Sequence, residues 1–475
     1  MFCSLITTYL VIFKVITTKQ PLCTMIDKKT EISTPEINLF PIKGKNIELS
    51  FSGDRISSDG GLLLLRELDS HLNLLFSASN CIRDERDHRY IDHSVKELLT
   101  QRVFQIAAGY EDCNDCNDLR EDMIFKMCAG RLPQSDNDLA SQPTMSRLEN
   151  AVTMTDLFRL GECLVDMFIN SYSKVPSVII LDCDDTNNDT YGQQELALFN
   201  NYYNEYCYMP LHIYEGLSGK LITTILKPGR RNKQANVAKL LKKLISYLRV
   251  QWPDTKIIVR GDSHFASQDF MDWTFTQSNV GFITGLTGNV KLHELAQVTI
   301  ESAQREFNQY QKSVKRYHSF LYKAGSWENY QRVIVKVEVS TMGTNIRYIV
   351  TSLTGFRTRD LYEKGYCARG SMELRIKDHK LYLKSDRSSC TKFTANQFRL
   401  FLHSMAYILI HTLQKEVLKE TEFANATIKT IQNKIIKTAA WVKEMRTKIK
   451  IEMPHFCTSK NEQIKGFEML MLLRT

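Results

Sequence analysis

An α/β fold, with a mixed β-sheet flanked by helices, is what the middle of this 475-residue chain predicts. Three observations carry the prediction. "SVIILDCDD" (177–185) and "KIIVRGD" (256–262) are apolar, β-branched runs that end in acids. "ANVAKLLKKLISYLRVQ" (235–251) has helical periodicity and falls between them. The succession from Pro176 to Leu286 reads strand, strand, strand, helix, strand, helix, strand, an order that lays a mixed sheet between helices.

In chain order, "LITTYLVIFKVI" (5–16) resembles a signal peptide, but no basic region precedes it and no A-x-A-like cleavage site follows. Residues 1–39 are therefore expected to be poorly structured or an over-long start, with Met25 opening the functional chain. No run reaches about 18 apolar residues, so no transmembrane helix is expected. "IELSFSGDRISSDGGLLLLREL" (47–68) reads as a strand, a Gly turn and a helix. Helical patterns then dominate in "SVKELLTQRVFQIAAGY", "LREDMIFKMCAG" and "DLFRLGECLVDMFINSY". In "DLASQPTMSRLENAV", Ser141 caps and Pro143 opens a helix carrying Arg147, either a short DNA-reading helix or an ordinary helix start. Residues 40–172 thus form a mainly helical N-terminal domain.

The next domain spans 173–415. Its strands are "SVIILDCDD", "MPLHIYEG", "GKLITTILKPG", "KIIVRGD" and "VGFITGL", with "SQDFMDWTFTQS" as a second helix. This is the ribonuclease H-like order. Residues 288–365, with "RVIVKVEVS" and "IRYIVTSL", read as a β-rich insertion. "ANQFRLFLHSMAYILIHTLQKEV" is apolar nearly all round and belongs in a core. Residues 416–475 turn basic around "WVKEMRTKIKI" and read as a C-terminal helical region.

Net charge is +9 and the excess is concentrated. From Lys220 to Arg260 there are 11 Lys or Arg against one acid, Asp254, with Arg230, Arg231 and Lys233 at its centre. Such a band is a footprint for phosphates or an exposed basic helix face. Among twelve cysteines only Cys113 and Cys116 form a C-x-x-C pair. With no second pair, zinc is not expected, and the cysteines read as reduced and mostly buried, as in a cytoplasm.

Asp182 and Asp184 lie two apart on one strand and face the same way, while Asp185 faces the other. Asp262 closes the strand expected alongside. Carboxylates on neighbouring strand ends, joined by a third from a helix, suit Mg²⁺, commonly as two ions about 3.5–4 Å apart. Each Asp taken singly also suits a turn or a helix cap. "YCARGSMELRIKDHK" (366–380) places Tyr366, Arg369, Glu373 and Lys380 at offsets 0, 3, 7 and 14. On a helix these share a stripe about 60° wide and about 21 Å long, suited either to solvent or to an extended anionic polymer.

In order and spacing, Asp184, Asp262 and Glu373 resemble the triad of DDE transposases. Tyr366, Arg369, Glu373 and Lys380 reproduce Y-x2-R-x3-E-x6-K, the signature of a large branch of insertion-sequence transposases. "SSDGGLLLLREL", "SQPTMSRLE", "LDCDDT" with "YGQQE", "ILKPG", "VRGDSHFA" and "NQFRLFLHSMAY" are similar to the group 1 DDE-domain transposases, insertion-sequence family thirteen-eighty. Leu374 and Asp378 depart from that family's common Asn and Glu.

The resemblance implies a transposase that cleaves DNA at element ends and transfers strands into target DNA. Alternatives are a ribonuclease H-like endonuclease without strand transfer and a catalytically silent DNA-binding protein. Implied metal ligands are Asp184, Asp262 and Glu373, with Asp182 as the alternative first ligand, for two Mg²⁺ ions or Mn²⁺ in substitution. Implied DNA contacts are Tyr366, Arg369 and Lys380, with Arg230, Arg231 and Lys233 from the basic band. The partner is double-stranded DNA, as terminal inverted repeats and target, held by a homodimer or larger assembly whose DNA-binding and assembly domain is 40–172. The expected setting is the bacterial cytoplasm, at the nucleoid when DNA-bound.

Overall fold

The computed structural model describes residues 37–230 and 237–473. The expected extension, with Met25, falls almost wholly outside the described residues, as do Arg231 and Lys233. Residues 37–54 form a unit of their own, in which Ile37–Ile42 and Lys45–Leu49 pair antiparallel. Lys43 and Gly44 turn the hairpin with φ of 50° and 79°, the positive values a two-residue hairpin loop needs.

From Arg55 onward the chain is one compact unit. Two of its N-terminal helices are α1 (Val95–Ala108) and α2 (Met154–Asn170). Each begins in a capping box, Ser94 with Glu97 and Thr153 with Asp156, which satisfies backbone N–H groups the first turn would otherwise leave unpaired.

The central sheet has eight strands. They are β1 (Val178–Asp185), β2 (Leu211–Glu215), β3 (Leu221–Ile225), β4 (Lys256–Gly261), β5 (Val280–Leu286), β6 (Val314–Tyr322), β7 (Gln331–Ser340) and β8 (Gly343–Thr351). Their spatial order is β6-β7-β8-β5-β4-β1-β2-β3. β1, β4 and β5 are parallel; every other neighbouring pair is antiparallel. Two helices lie within the first part of this run, α3 (Val237–Gln251) between β3 and β4 and α4 (Gln268–Phe275) between β4 and β5. The strand and helix succession read from the sequence is therefore present.

Strand parity decides what each face holds. Ile179, Leu181 and Cys183 of β1 join Ile257 and Val259 of β4 in a core with Leu241, Ile245 and Leu248 of α3. Asp182 and Asp184 take the opposite face. Between β1 and β2 the chain detours through a small sheet of Asn188–Asp189, Leu198–Asn200 and Glu205–Tyr208.

The stretch 288–365 departs from its β-rich reading at both ends, since residues 358–365 are already helical. It opens with the 21-residue helix α5 (Val290–Tyr310). Leu292, Ala296, Ile300 and Ala303 are its buried stripe at 4, 4 and 3 residue spacing. A run of exposed polar residues around that narrow stripe hides it in the sequence. β6, β7 and β8 then extend the central sheet, with β8 against β5 in the register Ile283↔Thr351.

Residues 358–382 are helical throughout but change pitch: π over Leu361–Tyr366, a 3-10 turn over Cys367–Arg369, α6 (Gly370–Lys377), and π again over Asp378–Tyr382. The 3.6-residue stripe drawn for 366–380 is thus only approximate. α7 (Phe393–Thr412) follows, buried nearly all round, and shares one apolar core with α1, α2 and residues 428–442. The C-terminal region is not helical throughout. Ala440–Glu444 pairs with Ile449–Glu452 and with Ile56–Ser57, before a closing helix at Lys460–Leu472. No helix among the described residues is long and apolar enough to cross a membrane.

Candidate active site at the carboxyl ends of the parallel strands

β1 and β4 pair in the register Arg260↔Asp182 and Gly261↔Cys183. Continued one residue, that register sets Asp262 beside Asp184 at the carboxyl ends of two parallel strands, the usual ligand-binding edge of such sheets. The electrostatics agree. Burial pushes the Asp184 carboxyl up to about 6, Arg369 pulls against this, and Asp262 and Asp185 add to the rise. Arg369 Nη2 lies 3.5 Å from Asp184 Oδ2. Asp262 Oδ1 accepts from the backbone N–H of His264 at 2.8 Å, and its Oδ2 is 3.0 Å from His264 Nδ1.

Asp185, on the other face, is held by Lys227 Nζ at 2.6 Å. Asp182 is committed elsewhere. Arg260 grips it through Nε at 2.5 Å and Nη2 at 2.7 Å, and both side chains are almost fully buried. Arg260 Nη1 also donates to the Gly365 carbonyl at 2.6 Å, tying the sheet to the helical segment that leads into α6. Asp182 is therefore a buried ion-pair partner, whereas Asp184 lines an open cleft.

That cleft has a volume of about 900 Å³. Asp184, Asp185 and Asp262 face it beside Lys227, Arg230 and His264. Of the basic band, Lys227 and Arg230 thus line the cleft that holds the carboxylates.

Three of the four residues of the 366–380 stripe fall along the strand ends. Tyr366 packs its hydroxyl against Gly285 of β5, where an added Cβ would sit 2.9 Å from both Tyr366 Oη and Ser263 N. Arg369 reaches Asp184. Lys380 Nζ donates to the Asn187 carbonyl at 2.5 Å. Glu373 is exposed on α6, about one helical turn beyond Arg369, and it is Arg369 rather than Glu373 that meets Asp184.

Among the described residues no three His, Cys, Asp or Glu side chains gather closely enough to hold a metal ion. The donor set still fits a hard divalent cation in part. Asp184 and Asp262 are oxygen donors whose mutual repulsion a cation relieves. Glu373 stands outside that pair, with Arg369 on the carboxylate the cation would take.

Sequence reasoning missed His264, the Lys227–Asp185 pair and the Arg260–Asp182 tie. His264 follows Asp262 by two residues and Lys227 falls in the basic band, so both carried a signal. Arg260 carried none, because within "KIIVRGD" it reads as one more surface cation.

A mixed sheet with aspartates at the ends of its parallel strands and cations along the same cleft defines an α/β protein with an acidic strand-end site. Within that class the chain belongs to the transposases: the family described as Transposase DDE domain group 1 matches residues 40–475. Among solved structures, the piggyBac transposase synaptic complex with hairpin DNA is similar, with a TM-score of 0.42 and 11% identity over 79% of each chain. No curated protein sequence matches the chain.

Proposed function

We propose that this transposase is a divalent-metal-dependent enzyme that cleaves DNA at the ends of its element and joins the freed 3′-hydroxyl to target DNA. The observation that carries the reading is the pair Asp184 and Asp262, brought side by side at the ends of adjacent parallel strands and open to a cleft. The order β3-β2-β1-β4-β5 with β2 antiparallel supports a ribonuclease H-like core.

Asp184 and Asp262 would hold the metal, with Glu373 completing the set; Asp182 is passed over because Arg260 saturates it. Two Mg²⁺ ions, or Mn²⁺ in their place, supply charge stabilisation to a phosphate under in-line attack. Arg369 neutralises Asp184 in this arrangement, and Glu373 must approach the two aspartates for the set to close. DNA phosphates give Arg369 the alternative partner that releases it. Arg230, with Arg231 and Lys233, and Lys380 would follow the backbone, while Tyr366 would contact the strand end. Paired ends call for at least two subunits, and residues 40–172 would contribute to DNA binding and assembly. The Y-x2-R-x3-E-x6-K spacing supports an insertion-sequence transposase, and stretches such as "VRGDSHFA" and "NQFRLFLHSMAY" support the thirteen-eighty kind.

The test is a purified-protein assay with labelled DNA carrying the sequences that flank the reading frame. Cleaved and joined products that require Mg²⁺ and vanish in Asp262→Asn and Glu373→Gln are expected. Cleavage without any joined product would instead mark a nuclease, and unchanged transposition in cells with both variants would mark a catalytically silent DNA-binding protein.

A further inference from the structure

The detour between β1 and β2 puts aromatic rings where a phosphate-handling site has no evident need of them. Tyr202 is 87% exposed, and its neighbour Tyr203 is half-buried against it, ring edge to face at 4.9 Å. Both line the cleft that holds Asp184, Asp185 and Asp262. Phe199, 40% exposed, is on the same wall.

The turn that carries them is fixed in advance. Asn200 Oδ1 accepts from the backbone N–H of Tyr202 at 2.9 Å and of Tyr203 at 3.4 Å. Asn204, with φ of 57°, closes the turn by donating its N–H to the Asn200 carbonyl at 2.8 Å. Asn200 Nδ2 donates to the Gly229 carbonyl at 2.7 Å, which binds the turn to the loop bearing Arg230. Two residues on from this wall, the short strand Glu205–Tyr208 pairs on both sides, with Leu198–Asn200 and with Asn188–Asp189.

An exposed ring costs free energy in water unless something covers it. Here the covering group must tolerate carboxylates below it and cations beside it, which excludes an apolar protein surface. A nucleobase meets these conditions, since its flat face stacks on tyrosine while its phosphate lies toward Arg230.

We propose that the Asn200–Asn204 turn is a stacking platform for one unpaired DNA base, with Tyr202 as the outer ring and Tyr203 as its backing. It extends the proposed function by assigning a specificity surface to the detour: the strand approaching Asp184 and Asp262 is unpaired at the nucleotide next to the attacked phosphate. The duplex stack would carry that base away from the tyrosines, so the platform selects DNA frayed, flipped or folded back at that position.

A forked duplex with 2-aminopurine at its first unpaired position tests this without added divalent metal. Binding of the wild type is expected to quench the fluorescence. Tyr202→Ala should abolish the quench and weaken binding by about fivefold or more, and Tyr202→Phe should keep both. An abasic residue at the same position should cost the wild type as much as Tyr202→Ala does, with no further loss when the two are combined. Equal loss from Tyr202→Ala on normal and abasic forks would overturn the platform, as would wild-type behaviour of both Tyr202→Ala and Tyr203→Ala. Tyr202 is exposed, so its replacement leaves the fold intact; matching thermal melts check this. If the wild type quenches as expected but never cuts or joins element ends with Mg²⁺, the proposed function fails and the platform stands. Normal cutting and joining with no tyrosine-dependent quench overturns the platform alone.

Discussion

Asp182→Asn is the substitution that separates the two aspartates of β1 most sharply. Asp182 accepts from Arg260 Nε at 2.5 Å and Nη2 at 2.7 Å, and both side chains are at most 2% exposed. Burial pushes the carboxyl up from its ordinary value, and Arg260 pulls it back, so the charge persists because of its partner. The substitution leaves a buried guanidinium without its countercharge, holding one amide oxygen and the Gly365 carbonyl at 2.6 Å while an NH2 donor faces its remaining N–H. Removing one partner of a buried pair costs about 3–5 kcal/mol. A second variant, Asp182→Leu with Arg260→Met, removes both charges and should recover about half of that loss. It still deprives the Gly365 carbonyl of a charged donor, worth about 1.5–3 kcal/mol. Urea unfolding at pH 7 measures both. The single variant should be the less stable of the two, and Mg²⁺ should protect wild type and double variant alike. A loss under about 1 kcal/mol for Asp182→Asn, or Mg²⁺ protection that disappears with Asp182, refutes the assignment and returns Asp182 to the ligand set.

Further outcomes concern the site and the core. Asp262→Asn and Glu373→Gln should each lower DNA cleavage by about a hundredfold or more, since metal stabilisation of a transferring phosphate is worth several kcal/mol. Circular dichroism should be unchanged. Gly285→Ala drives a Cβ against Tyr366 Oη and Ser263 N, so it should destabilise by about 1–3 kcal/mol in a thermal melt, and Tyr366→Phe should relieve part of that cost. Arg230→Ala should weaken DNA binding uniformly across sequences and flatten the plot of log affinity against log salt by about one unit. Acid should also destabilise the chain steeply. Burial lowers His212 to about 4 and His411 to about 3, while the unfolded chain takes up those protons near 6.5. Stability is complete above pH 6.5 and falls as pH drops towards 4, by about 2 kcal/mol per group at pH 5. Urea midpoints at pH 7 and 5 read this, and His212→Phe should remove one proton from the slope.

The sequence carried the sheet because its strands announce themselves one at a time: β1 and β4 are apolar runs whose identity needs no partner. Strand parity also put Asp182 and Asp184 on one face and the adjacency of β1 to β4 set Asp262 alongside, but parity does not separate Asp182 from Asp184; that preference came from the family resemblance. Glu373 is different. Its spacing from Arg369 is legible, but whether the exposed carboxylate reaches the aspartates depends on how a segment of changing pitch docks on the sheet. α5 was passed over because four small or apolar residues on one narrow stripe do not outweigh the polar residues around them. The C-terminal strands were passed over because they are short and charged, and their sheet is completed by a partner far back in the chain, Ile56–Ser57, against Ala440–Glu444.

Local periodicity and alternation determined the strands, helices and acidic strand ends of this protein, because backbone hydrogen bonding and burial of alternate residues are settled within a few neighbours. Tertiary structure alone decided that Asp182 belongs to Arg260, that Arg369 covers Asp184, and that Tyr202 stands over the same cleft. Each of those depends on groups brought together across long stretches of chain, and the identity of a charge's partner is a property of distance in space.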